Sequence, residues 1–230
     1  MKEFKDIILT KINQIFEKTL SESSKYESQL LLLNTYFSWS DFLSSKFPTN
    51  EALNLIQEAT FDLISSQFNA FSGFYRQGMI CLRSALELTG LCVYYFDHSI
   101  ECKYFHNEGG YKGPLLSELI DKDGFLAKKY YSLFIDEYKI KRELHTEVVS
   151  TYRDLSKYVH GRLGKLQTII NVPLNYDSRA FDEFIKKWIT IIGLGNTIMK
   201  VRFYNDMNTM DTDKKVYINA LVKDVGIIEE

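Results

Sequence analysis

Proline is scarce in this chain. Only Pro48, Pro114 and Pro173 occur in 230 residues, so long helices can run without interruption. Cysteine is equally scarce. Cys81, Cys92 and Cys102 form no CxxC and no Cys/His cluster, which leaves no zinc-type spacing and no disulfide framework. Cys81 and Cys92 fall in an apolar stretch, where cysteine acts as a small hydrophobe. A reducing, cytoplasmic setting is the expectation. The opening MKEFKDIILTKINQIFEK carries no signal-peptide apolar run and reads as an amphipathic helix. The most apolar windows, near 79–96 and 188–199, are interrupted by Arg83, Glu87 or glycines, so no membrane span is expected.

Other absences narrow the function. There is no internal repeat, no low-complexity tract, no P-loop and no Ser/His/Asp motif. Gly193 and Gly195 in ITIIGLGNTIM follow no strand, so they read as close helix packing and not as a phosphate loop. Net charge is −2 and the pI about 6.1, which weighs against a protein that coats nucleic acid with a broad positive face. It weighs less against an enzyme that grips a few phosphates. No metal and no cofactor are expected.

What is present is helical periodicity and aromatic bulk. Hydrophobic residues make up 45% of the chain, with Tyr 15 and Phe 16, enough for a sizeable core and too many for disorder. Phe4, Ile7, Ile8, Ile12, Ile15 and Phe16 lie at helical spacing over 3–19. SESS at 21–24 reads as a turn and N-cap for a second helix to about 46. Pro48 ends that helix, and Thr49 or Asn50 can cap the next. The stretch 50–97 reads as helix, broken near Asn69–Gly73. Residues 98–113, HSIECKYFHNEGGYKG, read as a loop. Short helices are expected at 114–121 and 124–138, longer ones at 140–160, 178–205 and 211–225, and irregular chain at 161–177. The one weak strand signal is LQTIINV, 166–172. The expected architecture is a single-domain all-α helical bundle. Residues 1–48 form accessory N-terminal helices, 49–206 the core and 207–230 a C-terminal helix.

Two segments could carry chemistry. In RELHTEVVSTYRDLSKYVHGRLG, Arg153 and His160 are seven residues apart, close to two helical turns, and so share a face. A guanidinium grips an anionic oxygen in a fixed fork, and an imidazole moves a proton near neutral pH. Arg153, Lys157, Arg162 and Lys165 stand against Asp154 alone, a local excess of positive charge that could hold phosphates. The bland alternative is a solvated helix end whose cations suit the macrodipole. The second segment, GFYRQGMICLRSALELTGLCVYYF (73–96), is apolar almost all round, yet Arg76, Arg83 and Glu87 share a stripe. That stripe is either a core ion pair tying two helices together or a polar seam facing the Arg153 helix, with Glu87 orienting a catalytic arginine. Among the other histidines, His106, beside Tyr104, Phe105 and Tyr111, reads as a surface connection rather than a base-stacking loop. His145 reads as solvent-facing, and His98 as a helix end.

The run from Arg153 through Asp154 to His160, together with the upstream Arg/Glu helix and the all-α pattern, resembles the HEPN superfamily of nucleotide-binding helical domains over roughly residues 50–205. The resemblance implies a metal-independent endoribonuclease, acting as a homodimer, with two motif helices meeting across the two-fold axis. It implies His160 as general base and Arg153 as the donor on the scissile phosphate. Asp154 would orient one of them, and Ser156, Lys157 and Arg162 would be supporting phosphate contacts. It also implies RNA (tRNA among the candidates) as substrate, a cognate regulatory partner, and a place in a bacterial defence or toxin–antitoxin system. Many toxins of the family carry a tyrosine soon after the histidine. Here Gly161, Arg162 and Leu163 follow instead, which departs from that pattern. Some members are non-catalytic modules that bind a protein partner or a nucleotide, which is the alternative reading.

Overall fold

The computed structural model describes residues 2–107, 124–136, 141–160 and 175–228. Among these there are eight helices of at least nine residues and no strand. They are α1 (Lys2–Ser23), α2 (Asn34–Lys46), α3 (Leu53–Phe71), α4 (Tyr75–Asp97), α5 (Ser99–Asn107), α6 (Leu144–Val159), α7 (Ser178–Arg202) and α8 (Thr212–Val225). The expected strand at 166–172, helix at 114–121 and irregular stretch at 161–174 lie outside the described residues, as do Tyr111, Arg162 and Lys165.

The all-α bundle is built around α4. Helices α3, α6 and α7 all pack on it, and α8 packs on α7. Helix α4 is long and apolar enough to cross a membrane by composition, but Met79, Leu82, Leu86 and Cys92 are buried in the bundle core. The α3–α4 hairpin closes through Gly73, whose φ of 81° is a left-handed conformation that side chains resist. Asp177 starts α7 by accepting from the N–H groups of Arg179 (2.9 Å) and Ala180 (3.0 Å). Asp211 does the same for α8.

Helix α2 completes the core. Tyr36, Trp39 and Leu43 are fully buried, and Trp39 donates its indole N–H to Asn196 Oδ1 (2.9 Å). The glycine-containing run of α7 makes this approach possible. A Cβ on Gly195 would stand 1.7 Å from Tyr36 Oη, and one on Gly193 would stand 2.5 Å from Val225 Cγ2. The glycines therefore serve close helix packing, as their spacing suggests.

Three expectations need correction. No continuous helix follows SESS. Instead two 3-10 turns and one α turn occupy Ser24–Leu33 before α2 begins. Two carbonyls there serve tertiary bonds: Gln29 O accepts from Trp188 Nε1 (2.8 Å) and Leu30 O from Gln67 Nε2 (2.9 Å). Residues 99–107 form α5 and not a loop. Cys102 is buried there, and Phe105 lies 5.1 Å from the Tyr95 ring. Packing overrides the weak local propensity. The helix expected over 124–138 is a single turn, Lys128–Tyr131.

Gly195→Ala should lower the unfolding free energy by about 3 kcal/mol, measured by urea denaturation, because a buried ring must move. Tyr36→Phe in that background should restore part of the loss by removing the nearest atom, a non-additive double-mutant cycle.

Candidate functional site

Helix α6 is amphipathic. Leu144, Val148, Tyr152, Leu155 and Tyr158 are buried, while Thr146, Ser150, Arg153 and His160 are exposed. Because regular helix runs through Val159, Arg153 and His160 leave the same face roughly 10 Å apart along the axis. His160 is the C-cap, and its backbone N–H donates to Ser156 O (3.1 Å).

The roll of α6 is set by the charged stripe of α4. Arg83 donates Nε–H to Ser156 Oγ (3.2 Å) and Nη2–H to the Tyr152 hydroxyl, and pairs with Glu87 through Nη1 (3.3 Å). Its guanidinium lies 4.4 Å from the centroid of the Tyr152 ring. Tyr152 in turn donates to Glu87 (3.5 Å). Burial, and next the Glu87 carboxylate, push the Tyr152 hydroxyl above its ordinary pKa. Arg76 completes the stripe by donating to the carbonyls of Tyr158 (2.8 Å) and Val159 (3.2 Å), satisfying the C-terminus of α6.

This geometry reassigns three of the sequence expectations. Glu87 is bonded to Arg83 and Tyr152, on the inner side of α6, and does not orient Arg153. Ser156 is half-buried, donates to Tyr152 O (2.8 Å) and accepts from Arg83, so it is engaged inward and not available as a phosphate contact. Asp154 orients neither Arg153 nor His160. Its carboxylate takes Lys157 Nζ at 2.9 Å and Lys187 Nζ at 2.6 Å. Arg83 and Glu87 do support the motif helix, as positioning residues.

Outside α6, the surface dips into a groove of about 570 Å³ between α6 and α7. Arg153, Lys157, Lys187, Asp154 and His145 line it with small polar neighbours such as Ser150. His145 is only 20% exposed, not solvent-facing as expected. Glu143 lies 3.4 Å from its Nδ1, and Thr146 Oγ1 lies 3.2 Å from Nε2. Lys187 escaped the sequence reading. It sits in the KKW run of α7, and nothing local to that run points to Asp154. His106 is exposed on α5. His98 ends α4, stacked on Tyr94 at 4.1 Å.

No family model, curated protein or solved structure matches the chain. The chemistry must therefore be read from the geometry. A second cavity of about 540 Å³ between α7 and α8 is lined by Leu32, Ile189, Leu194 and Leu221, with Arg142 and Glu147 paired at 2.9 Å on its lining. It contains none of the motif residues. Among the described residues no group of three His, Cys, Asp or Glu could hold a metal ion.

Asp154 has a titration signature. Burial alone would raise its pKa, but Lys187 and Lys157 outweigh burial and hold it at about 2. The folded carboxyl lies below its unfolded value. Its contribution is therefore fully present above about pH 4 and is lost as pH falls through about 2. Asp154→Asn should remove on the order of 1–2 kcal/mol at neutral pH, after allowance for partly exposed partners. The variant and the parent should converge in stability between pH 4 and 2, followed by acid titration of unfolding.

Proposed function

We propose that the chain is a metal-independent endoribonuclease of the HEPN type, working as a homodimer with the α6 helices of two copies facing each other. One observation carries this reading: Arg153 and His160 are both exposed on a single face of a helix whose roll and C-terminus are fixed by Arg83 and Arg76. Rigid placement of an acid–base group beside a cation is what phosphoryl transfer without a metal requires.

In this scheme His160 takes the proton from a ribose 2′-hydroxyl. The 2′-oxygen attacks the adjacent phosphorus, and the bond from phosphorus to the 5′-oxygen breaks. Arg153 neutralises the charge that builds on the non-bridging oxygens. The leaving 5′-oxygen receives a proton from the imidazolium of the second copy. The products carry a 2′,3′-cyclic phosphate and a 5′-hydroxyl. Asp154 acts here by holding two lysines beside the arginine. Arg162 remains an expected phosphate contact beyond the described residues. A role in bacterial defence or as a toxin with a cognate regulator fits such an activity and rests on the family resemblance.

A second reading has its own support. Phe61 and Phe68, each 62% exposed, and Ile64 form an apolar stripe on α3. Such a stripe suits a non-catalytic helical module that docks a protein partner.

The wild-type protein, given total RNA and tRNA with EDTA present, should cleave and leave cyclic phosphate ends. His160→Ala and Arg153→Ala should each lower the rate by at least about a hundredfold while shifting unfolding free energy by no more than about 0.5 kcal/mol, since both are exposed. A folded wild-type protein that leaves RNA intact would turn the assignment to the docking module.

A further inference from the structure

In the cleavage scheme the α6–α7 groove contributes Arg153, and its two lysines appear only as neighbours of that arginine, with no ligand of their own. Three basic side chains line it: Arg153 and Lys157 from α6, and Lys187 from α7. Lys157 and Lys187 come from different helices and converge on one carboxylate, at 2.9 and 2.6 Å. Two ammonium groups brought that close repel each other, and a single Asp154 leaves a positive surplus on a chain whose net charge is −2. Asp154 holds both ammonium groups in place before any ligand arrives. Ser150, Thr151 and Thr146 add hydroxyl groups along the same wall.

The groove also has a direction. From His160 the outward face of α6 runs back through Lys157 and Arg153 to Ser150 and Thr146, one helical turn of about 5.4 Å at a time. That step is comparable to the spacing of successive phosphates in an extended strand.

We propose that this groove is a second phosphate-binding site, in which Lys187 and Lys157 hold the backbone of a single-stranded nucleic acid beside the phosphate at Arg153. The substrate class is a single strand spanning more than one phosphodiester, and Lys187 is its positioning residue. The proposal deepens the ribonuclease reading in naming how the strand is held, but it is tested by binding alone.

The probe is a short fluorescein-labelled 2′-O-methyl oligonucleotide, which has no free 2′-hydroxyl to react. Its affinity is followed by anisotropy across a salt series. Lys187→Ala should weaken binding about three- to tenfold and flatten the slope of log affinity against log salt by about 0.7. Lys187→Arg should restore the slope. Lys214→Ala should leave it unchanged, because Lys214 sits against Asp41, 3.4 Å away, outside the groove. Thermal unfolding of Lys187→Ala checks that the fold survives.

An unaltered slope in Lys187→Ala overturns the proposal, as does failure of the wild type to bind the probe. Equal flattening in Lys214→Ala would show diffuse attraction and overturn it too. Displacement of the strand by a micromolar nucleoside monophosphate would mean a mononucleotide pocket and overturn the strand assignment. If RNA is never cleaved yet binding depends on Lys187, only the nuclease reading falls. If RNA is cleaved and the slope does not respond, only the groove assignment falls.

Discussion

Arg83 sets the rotation of α6, and the outward chemistry of the protein follows from it. An apolar interface between two helices tolerates a small slide or roll, because dispersion contacts are many and individually weak. A guanidinium engaged at once by Glu87, Ser156 and Tyr152, with its flat face over the tyrosine ring, tolerates neither. The net contribution of such a half-buried pair to stability is small, since desolvation offsets attraction. Its effect is on orientation. With Tyr152 and Ser156 turned inward, Arg153, Lys157 and His160 must point away from α4.

Helical bulk, the break at Gly73 and the close approach through Gly193 and Gly195 were legible in the sequence. Each is a local signal: a 3.6-residue period, a residue free to adopt positive φ, or a missing Cβ where a helix must be touched. The failures share a different cause. Residues 24–33 depart from regular helix where Gln29 and Leu30 serve partners in α7 and α3. Residues 99–107 are helical where Cys102 and Phe105 find an apolar bed. Partners far along the chain leave no mark on the segment that meets them.

The candidate site divides in the same way. The shared face of Arg153 and His160 followed from spacing alone, whereas the encounter between the α4 stripe and α6 was one of two readings the spacing left open. The individual partners did not. Asp154 adjoins Arg153 in sequence but is claimed by Lys187 from α7, and Glu87 stays with the arginine one turn before it. A carboxylate chooses among nearby cations by geometry, and sequence order does not supply that geometry. HEPN-type chemistry remains a proposal that rests on the motif and its exposure.

Arg142, just before α6, donates to the carbonyls of Gly226 (3.2 Å) and Val225 at the end of α8, across 84 residues of chain. The beginning of the site helix is thus moored to the end of a helix that is synthesised well after it. During synthesis α6 can meet α4 before α8 is made, but its leading end is fastened only once Gly226 has been added. A nascent chain that has not yet reached Gly226 therefore lacks this mooring at the start of α6.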